Sequence, residues 1–445
     1  MGNRKRPDRM SAVYEILTSE DDGRVCRDIP ESACKVQPRN FFVHVFSLAA
    51  TKTGDGLSDP KLVLSWILTQ LGAPAFLIGL LVPVREAGAL LPQLFTAGAI
   101  RSMPQRKWAW AGGSLIQGMA VAGIGVCSFV LEGASAGWAV IALLAVFSVA
   151  RSVCSVSYKD VLGKTVSKAT RGTATGAAGT VSAILVLVYG VLLAVDVLPK
   201  SITVIAGALF VAGGLWAFSA VLFCTLAEEP GATEGGGNPV RVALDQISLL
   251  RDDPQLVRFI AVRGLLMATA LAPPFLVSLS GQSGGRALGE LGTFVIASAL
   301  ASVGSSYLWG RLSDKSSRRV LALSGVLGGI VFVMTAALAA FGTDLLSQEY
   351  TLPVAMFGLM FAYQGVRLGR ATHIVDMASA DKRAAYTAIS NTVVGVLLVA
   401  GGIFGVIAEL AGTVFVLTIF AGMCGIAAML ALGLEEVQES DRETT

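Results

Sequence analysis

Apolar runs, each closed by a short charged or glycine- and proline-containing stretch, recur along the chain from Phe41 to Leu434. A bilayer core about 30 Å thick takes about 20 apolar residues of α-helix, so each run has the length of one crossing. The runs fall near 41–71, 74–100, 108–130, 136–157, 172–195 and 202–225. A second set follows near 256–280, 288–309, 319–342, 350–374, 386–409 and 411–433. The pattern predicts an all-α integral membrane protein of twelve transmembrane helices in two pseudo-symmetric six-helix halves. Residues 227–255 separate the sets; Glu228, Glu229, Pro230 and Gly235 to Gly237 are followed by an amphipathic stretch near 240–250, which suits an aqueous linker. The expected organisation is a tail at 1–40, one half at 41–226, the linker at 227–255, a second half at 256–434 and a tail at 435–445.

Composition supports the membrane assignment. Of 445 residues, 54% are hydrophobic and 15% charged, against about 45–50% and about 25% in soluble domains. One soluble core could not bury that excess. Fifty glycines fit a bundle in which small residues let helices approach closely. A net charge of +3 gives no nucleic-acid footprint. The six cysteines show no CxxC spacing, so no metal site is expected. The first forty residues hold Arg4, Lys5 and Arg6 but no apolar segment of the kind a cleavable signal needs. Residues 11–17 read as a short solvated helix, and Cys26 and Cys34 as reduced cytosolic thiols.

Basic residues cluster on alternate connections: Arg101, Arg106 and Lys107; Lys159, Lys164, Lys168 and Arg171; Arg311, Lys315, Arg318 and Arg319; Lys382 and Arg383. The intervening connections carry little beyond Lys200 and Arg286. By the positive-inside rule both termini are cytoplasmic, in a multi-pass protein of the cell (inner or plasma) membrane.

The same loops carry an internal repeat. Gly98 precedes Arg106 and Lys107 as Gly310 precedes Arg318 and Arg319, at a shift of 212 residues; Arg151 precedes Asp160 as Arg367 precedes Asp376, at a shift of 216. Being duplicated, Arg151 and Arg367 are assigned to the scaffold rather than to a ligand.

The stretch from Gly310 to Arg319 (GRLSDKSSRR) resembles the signature loop of the major facilitator superfamily, in which a helix-ending glycine is followed by an aspartate and then a basic pair. Span number, the six-plus-six repeat and the central linker extend the resemblance over the whole chain. It implies two halves that rock about a midplane cavity in alternating access, and a conformational latch made by Gly310, Asp314, Arg318 and Arg319. An aspartate cross-linked by arginines near a helix N-terminus would favour one conformer; an ordinary basic loop is the plainer reading. In the first half the aspartate position is Ser102. The fifth span lacks the Gly-Pro pattern of proton-antiporting drug exporters in this superfamily, which disfavours multidrug efflux.

The first two spans hold the sequence's costliest residues. Between Ala50 and Leu62 lies TKTGDGLSDPK, with Lys52, Asp55, Asp59 and Lys61. Two glycines and a proline predict a broken helix, and broken helices at the midplane are where transporters hold substrate and ions. The second span adds Arg85 and Glu86. A charge at the bilayer centre costs about 2.5–3.5 kcal/mol on insertion scales, so these groups must pair or face water. Shifted by the repeat, Asp55 and Glu86 land on uncharged positions 267–271 and 298–302, so they are not duplicated scaffold. Asp55 and Glu86 are assigned to a coupling proton or cation (H+ or Na+), and Lys52, Arg85 or Arg263 to the substrate. Simple ion pairing inside the bundle is the structural alternative, and a surface position for residues 41–50 is another. In the seventh span, Pro273 and Pro274 predict a kink.

Other chemistry fails on its spacing. Gly163-Lys164-Thr165 resembles the end of a phosphate loop, but the required first glycine is Tyr158. Only His44 and His373 exist, on different spans, and no nucleophile–base pair is recognisable. The expectation is therefore a secondary active transporter, not an enzyme, acting as a monomer in the bilayer on a small solute without cofactor. A transporter-like receptor or assembly factor is the second reading, disfavoured because a retired cavity would not keep costly charges.

Overall fold

The computed structural model describes Tyr14 and residues 31–231, 249–282, 287–341, 344–378 and 383–436. Cys26, the 11–17 stretch apart from Tyr14, most of the linker, Arg286 and Lys382 lie outside the described residues.

Helices account for the apolar runs in the predicted order. They are α1 (Gln37–Leu57), α2 (Val63–Gln70), α3 (Ala75–Leu90), α4 (Gln93–Arg101), α5 (Lys107–Val130), α6 (Gly133–Thr165), α7 (Lys168–Ala194) and α8 (Ile202–Cys224). After the linker come α9 (Pro254–Leu266), α10 (Ala268–Leu271), α11 (Pro273–Gln282), α12 (Ala287–Ser313), α13 (Ser317–Ala340), α14 (Thr351–Met377), α15 (Arg383–Ala400), α16 (Ile403–Ala411) and α17 (Thr413–Leu432).

The first apolar run is broken, but over a shorter stretch than its composition suggested. Residues 51–57 stay helical through both glycines, and only 58–62 leave the helix. Pro60 has no N–H to give, and the Asp59 carbonyl accepts from the amides of Leu62, Val63 and Leu64 at 3.3, 2.8 and 3.1 Å, which starts α2 afresh. The Asp59 carboxylate accepts from the Lys61 amide at 2.7 Å. Residues 41–50 pack into the bundle along one face, with Phe41 fully buried and Phe46 exposed on the other, so the surface alternative does not hold. The kink at Pro273 appears as the α10–α11 interruption. Breaks at Pro92 and at Gly401–Gly402 were not foreseen.

Among the described residues, nine helical segments are long and apolar enough to cross a membrane. The first, second and tenth predicted spans fall outside that set. Two of them are helices in pieces, and charge interrupts all three: Lys52, Asp55, Arg85, Glu86, Arg367 and Arg370 lie on α1, α3 and α14. These six charged residues line one cavity.

Packing before the linker is repeated after it. Contacts between α5 and α8, α5 and α6, and α3 and α6 correspond to those between α13 and α17, α13 and α14, and α12 and α14. The two segments meet through α7 against α12 and α3 against α15 and α16. At these meetings backbones touch. A Cβ on Gly405 would lie 2.7 Å from the Phe76 carbonyl oxygen, and one on Gly292 would lie 2.5 Å from the Ala194 nitrogen. Only glycine permits either approach. Next to the first, the Glu409 carboxylate of α16 accepts from the Ala75 amide at the start of α3 at 2.6 Å. The contacts of Gly405 with Phe76, Glu409 with Ala75 and Gly292 with Ala194 lie at helix ends away from the linker, whereas Gly395 of α15 meets Leu90 and Leu91 at the other end of α3.

The N-terminal tail needs one correction. Cys34 is disulfide-bonded, not a reduced thiol, because compartment alone does not decide whether a second sulfur lies within bonding reach. Cys127, Cys154, Cys224 and Cys424 are free.

Candidate functional site

A cavity of about 610 Å³ lies between the two segments. On one side α1 presents Lys52 and Asp55, its broken end presents Asp59 and Lys61, α3 presents Arg85 and Glu86, and α6 presents Arg151. Opposite, α14 presents Tyr363, Gln364, Arg367 and Arg370, and α12 presents Ser298 and Ser302. A side cavity of about 380 Å³ shares Glu86, Tyr363, Arg367 and Arg370 with it and reaches Arg263 of α9. A second, of about 240 Å³, shares Lys52, Asp55 and Arg151 and reaches Tyr158. Lys52, Asp55, Arg85 and Glu86, chosen from sequence, thus share one chamber, and Arg263 stands on its extension.

Asp55 is the hub of the first wall. Its two oxygens accept from one Arg151 nitrogen at 2.6 Å each, and one also accepts from Arg85 at 3.0 Å. The carboxylate therefore ties α1 to α3 and α6. Arg85 lies over the Phe147 ring with its guanidinium carbon 4.8 Å from the centroid, a cation–π contact. Lys61, 6% exposed, places its ammonium 3.5 Å from the centre of the Tyr363 ring and so bridges the two walls. Lys52 donates to the Thr175 carbonyl of α7 at 3.3 Å. Glu86 makes no hydrogen bond among the described residues and lies in the field of Lys61, Arg85, Arg370 and Arg151.

Arg151 and Arg367 stand in the same chamber. Duplication suggested scaffold, yet both line the chamber. The two residues stand on facing walls, Arg151 paired with Asp55 as a scaffold residue would be, and Arg367 bonded among the described residues to Gln364 at 3.4 Å. Arg370 was not singled out from sequence, because its helix also carries Arg367 and His373 and no pattern tells which of them faces water.

At the linker end, the residues of the expected latch are placed differently. Asp314 is exposed and its carboxylate makes no ion pair among the described residues. Arg318 instead bonds Glu436 at 2.8 Å and the Leu434 carbonyl at 2.9 Å. A matching contact occupies the other segment. Buried Glu228 accepts from the Arg106 and Lys107 amides at 3.1 and 2.8 Å, at the N-terminus of α5, and from Lys164 at 3.3 Å. A carboxylate there meets unpaired helix amides and the positive end of the helix dipole. Arg106 adds an ion pair to Asp160. Sequence reading placed Glu228 in an aqueous linker and passed over Glu436, because each sits outside its apolar run; Glu228 is instead buried.

His44 bonds Thr165 at 2.8 Å and His373 bonds Ser317 at 2.9 Å, each buried, so both are packing residues. Among the described residues no cluster of His, Cys, Asp and Glu could hold a metal.

No protein-family model matches the chain, and no curated protein matches it in sequence. Solved structures do match it in fold. A nucleoside transporter, NupG, superposes with a TM-score of 0.65 at 15% identity, covering 89% of this chain and 99% of its own. A POT family transporter in complex with 5-aminolevulinic acid gives 0.67 at 9%, covering 89% and 96%. The xylose transporter XylE from E. coli, in an inward open conformation, gives 0.61 at 10%, covering 91% and 99%. Likeness over nine-tenths of the chain and nearly all of each neighbour, with nine crossing-length helices among the described residues, shows that this chain is a multi-pass membrane protein with the fold that these transporters share.

Proposed function

We propose that the protein is a secondary active transporter that moves a small solute across the membrane by alternating access. On this reading twelve spans form two six-helix halves, residues 41–226 and 256–434, with both termini in the cytoplasm, and the chain works as a monomer. The observation that carries the reading is the chamber of about 610 Å³ between the two segments, walled by nine charged side chains. Intramembrane charge is expensive and is kept where it handles a solute or ion. That the solved neighbours with this fold are transporters of nucleosides, peptides and xylose supports the same conclusion.

Lys52, Arg85 and Arg263, joined by Arg151, Arg367 and Arg370, serve the solute in this proposal. Between the two proposed coupling acids, hydrogen bonding favours Glu86. Asp55 is engaged by two guanidiniums and acts mainly as a cross-link, whereas Glu86 makes no hydrogen bond among the described residues. Contact at the end away from the linker, with α16 seated on α3, is the state open toward the linker, and rocking would exchange the two ends. Gly310, Asp314, Arg318 and Arg319 then act at the linker end in the opposite state, where Asp314 and the basic pair approach.

The test is reconstitution in proteoliposomes with imposed proton and sodium gradients, following uptake of labelled anions, sugars, nucleosides and amino acids. Gradient-driven accumulation of one class that Glu86→Gln uncouples and Asp55→Asn weakens is expected. Accumulation with unaltered ion dependence in Glu86→Gln would remove the coupling assignment, and no accumulation of any class by protein that is folded and oriented would remove transport itself.

A further inference from the structure

We infer that the solute is an oxyanion, carrying a carboxylate or phosphoryl group, held between Arg370 and Arg367 of α14 and the basic groups of the opposite wall. The inference rests on the transport reading and adds the charge class of its substrate.

Charge in the chamber is lopsided. Six cationic side chains face three anionic ones, and the side cavity adds Arg263 with no further acid. The imbalance has a direction. Every acid comes from the segment before the linker, where Asp55 is already engaged by Arg85 and Arg151 and an Asp59 oxygen holds the Lys61 amide. The wall after the linker carries Arg263, Arg367 and Arg370 and no acid.

Those three arginines are under-used. Arg263 is 7% exposed, is held by Ser390 and Asn391, and keeps a buried Nε without an acceptor. Arg367 has one long contact to Gln364. Arg370 has no hydrogen-bond acceptor among the described residues and feels Glu86 across the chamber. Arg263 is buried, Arg370 half-buried and Arg367 exposed within the chamber; a buried guanidinium short of acceptors is costly, and the fork of fixed N–H donors that all three carry matches the two oxygens of a carboxylate or phosphoryl group. A cationic solute would add to the imbalance, and a neutral one would leave it.

Glu86 completes the arrangement as the chain's own counter-anion. It is the unbonded acid on the wall facing Arg370, so an arriving oxyanion takes over Arg370 from it. The solute thereby links the two walls, which Glu86 alone does only through space.

The experiment places a reporter thiol in the chamber, Ser298→Cys, in the full chain in lipid nanodiscs with Cys154→Ala removing the nearby native thiol. Ser298 lines the chamber and Cys154 a side cavity. Modification rates by an anionic sulfonatoethyl and a cationic trimethylammonioethyl methanethiosulfonate, each normalised to a free thiol at constant ionic strength, report the potential. A focused cationic cleft should favour the anionic reagent about tenfold or more, and Arg370→Gln should cut that preference several-fold. Phosphate, succinate and citrate are then tested for protection of the thiol beside uridine, D-xylose and choline. Protection by at least one anion, lost in Arg370→Gln, supports the inference. Equal rates for the two reagents overturn it, as does the failure of all three anions to protect. Protection by uridine, xylose or choline in place of the anions overturns the charge class and leaves transport standing. The transport reading fails separately, if the thiol is reachable from one face of the membrane only under every condition.

Discussion

Asp55 of α1 and Arg151 of α6 are joined through both carboxylate oxygens, each 2.6 Å from one guanidinium nitrogen. This pair, with Arg85, ties together three helices on one wall of the chamber. Exposed pairs contribute about 0.2–1 kcal/mol, and breaking a buried one costs about 3–5 kcal/mol. Side-chain exposures of 24% for Asp55 and 36% for Arg151 put this pair between those limits, so Arg151→Ala should cost about 1–3 kcal/mol. A double-mutant cycle with Asp55→Asn and Arg151→Gln, read by thermal melting in detergent, should return a coupling of about 1 kcal/mol or more. Additivity within about 0.3 kcal/mol would show that the contact is incidental.

Glu228 and Glu436 occupy matching places, each after the last helix of its segment and each against the start of α5 or α13. Their partners differ. Glu228 is fully buried and takes two backbone amides besides Lys164, while Glu436, 9% exposed, takes the Ser316 hydroxyl and Arg318. Backbone amides cannot turn away when the acceptor is lost. Glu228→Gln should therefore lower stability by about 2–4 kcal/mol and Glu436→Gln by about 1 kcal/mol. Equal melting temperatures for the two variants would contradict this ordering.

Arg318 gives a related contrast with Asp314. In the state described, Asp314 is exposed and makes no ion pair among the described residues, so Asp314→Asn should leave the melting temperature within the equivalent of about 0.5 kcal/mol. Arg318→Gln removes the bonds to Glu436 and the Leu434 carbonyl and should cost about 1–2 kcal/mol. A transport defect in Asp314→Asn without a stability change would fit a role confined to the opposite conformer. A large stability loss in that variant would mean that Asp314 is paired in this state after all.

Sequence read the helices well where apolar length decided them, as in α5, α8, α13 and α17, because hydropathy acts on a whole helix. It read Lys52, Asp55, Arg85 and Glu86 as a cluster because charge within an apolar run has few places to go. What it could not read was pairing. Whether Asp55 meets Lys52, three residues away, or Arg151, on another helix, depends on packing that no local pattern records. Arg370 and Glu409 were lost for a related reason: each is one polar residue at a helix position whose facing is set by a neighbour far along the chain.

Glu409 and Gly405 lead to the last prediction, on the contact that closes the end away from the linker. Gly405 of α16 lies so near α3 that an added Cβ would sit 2.7 Å from the Phe76 carbonyl oxygen, while Glu409, one turn on, accepts from the Ala75 amide at 2.6 Å. A leucine at Gly405 forces the helices apart. The carboxylate at the start of α3 contributes about 0.3–1 kcal/mol through the helix dipole. Ser278 lines the small cavity beside Ala75 and Glu409, so a Ser278→Cys thiol reports the opening of this end. Its modification from that face should rise about tenfold or more in Gly405→Leu, as a shift of about 1.4 kcal/mol requires, and about two- to fivefold in Glu409→Gln. Both variants should elute as monodisperse protein, and solute accumulation should fall with the rise in labelling, since a transporter unable to close one end leaks or stalls. Unchanged labelling in Gly405→Leu would mean that α3 and α16 part without opening a path, and the closed end would then have to be sought at α7 and α12, where Gly292 lies against Ala194.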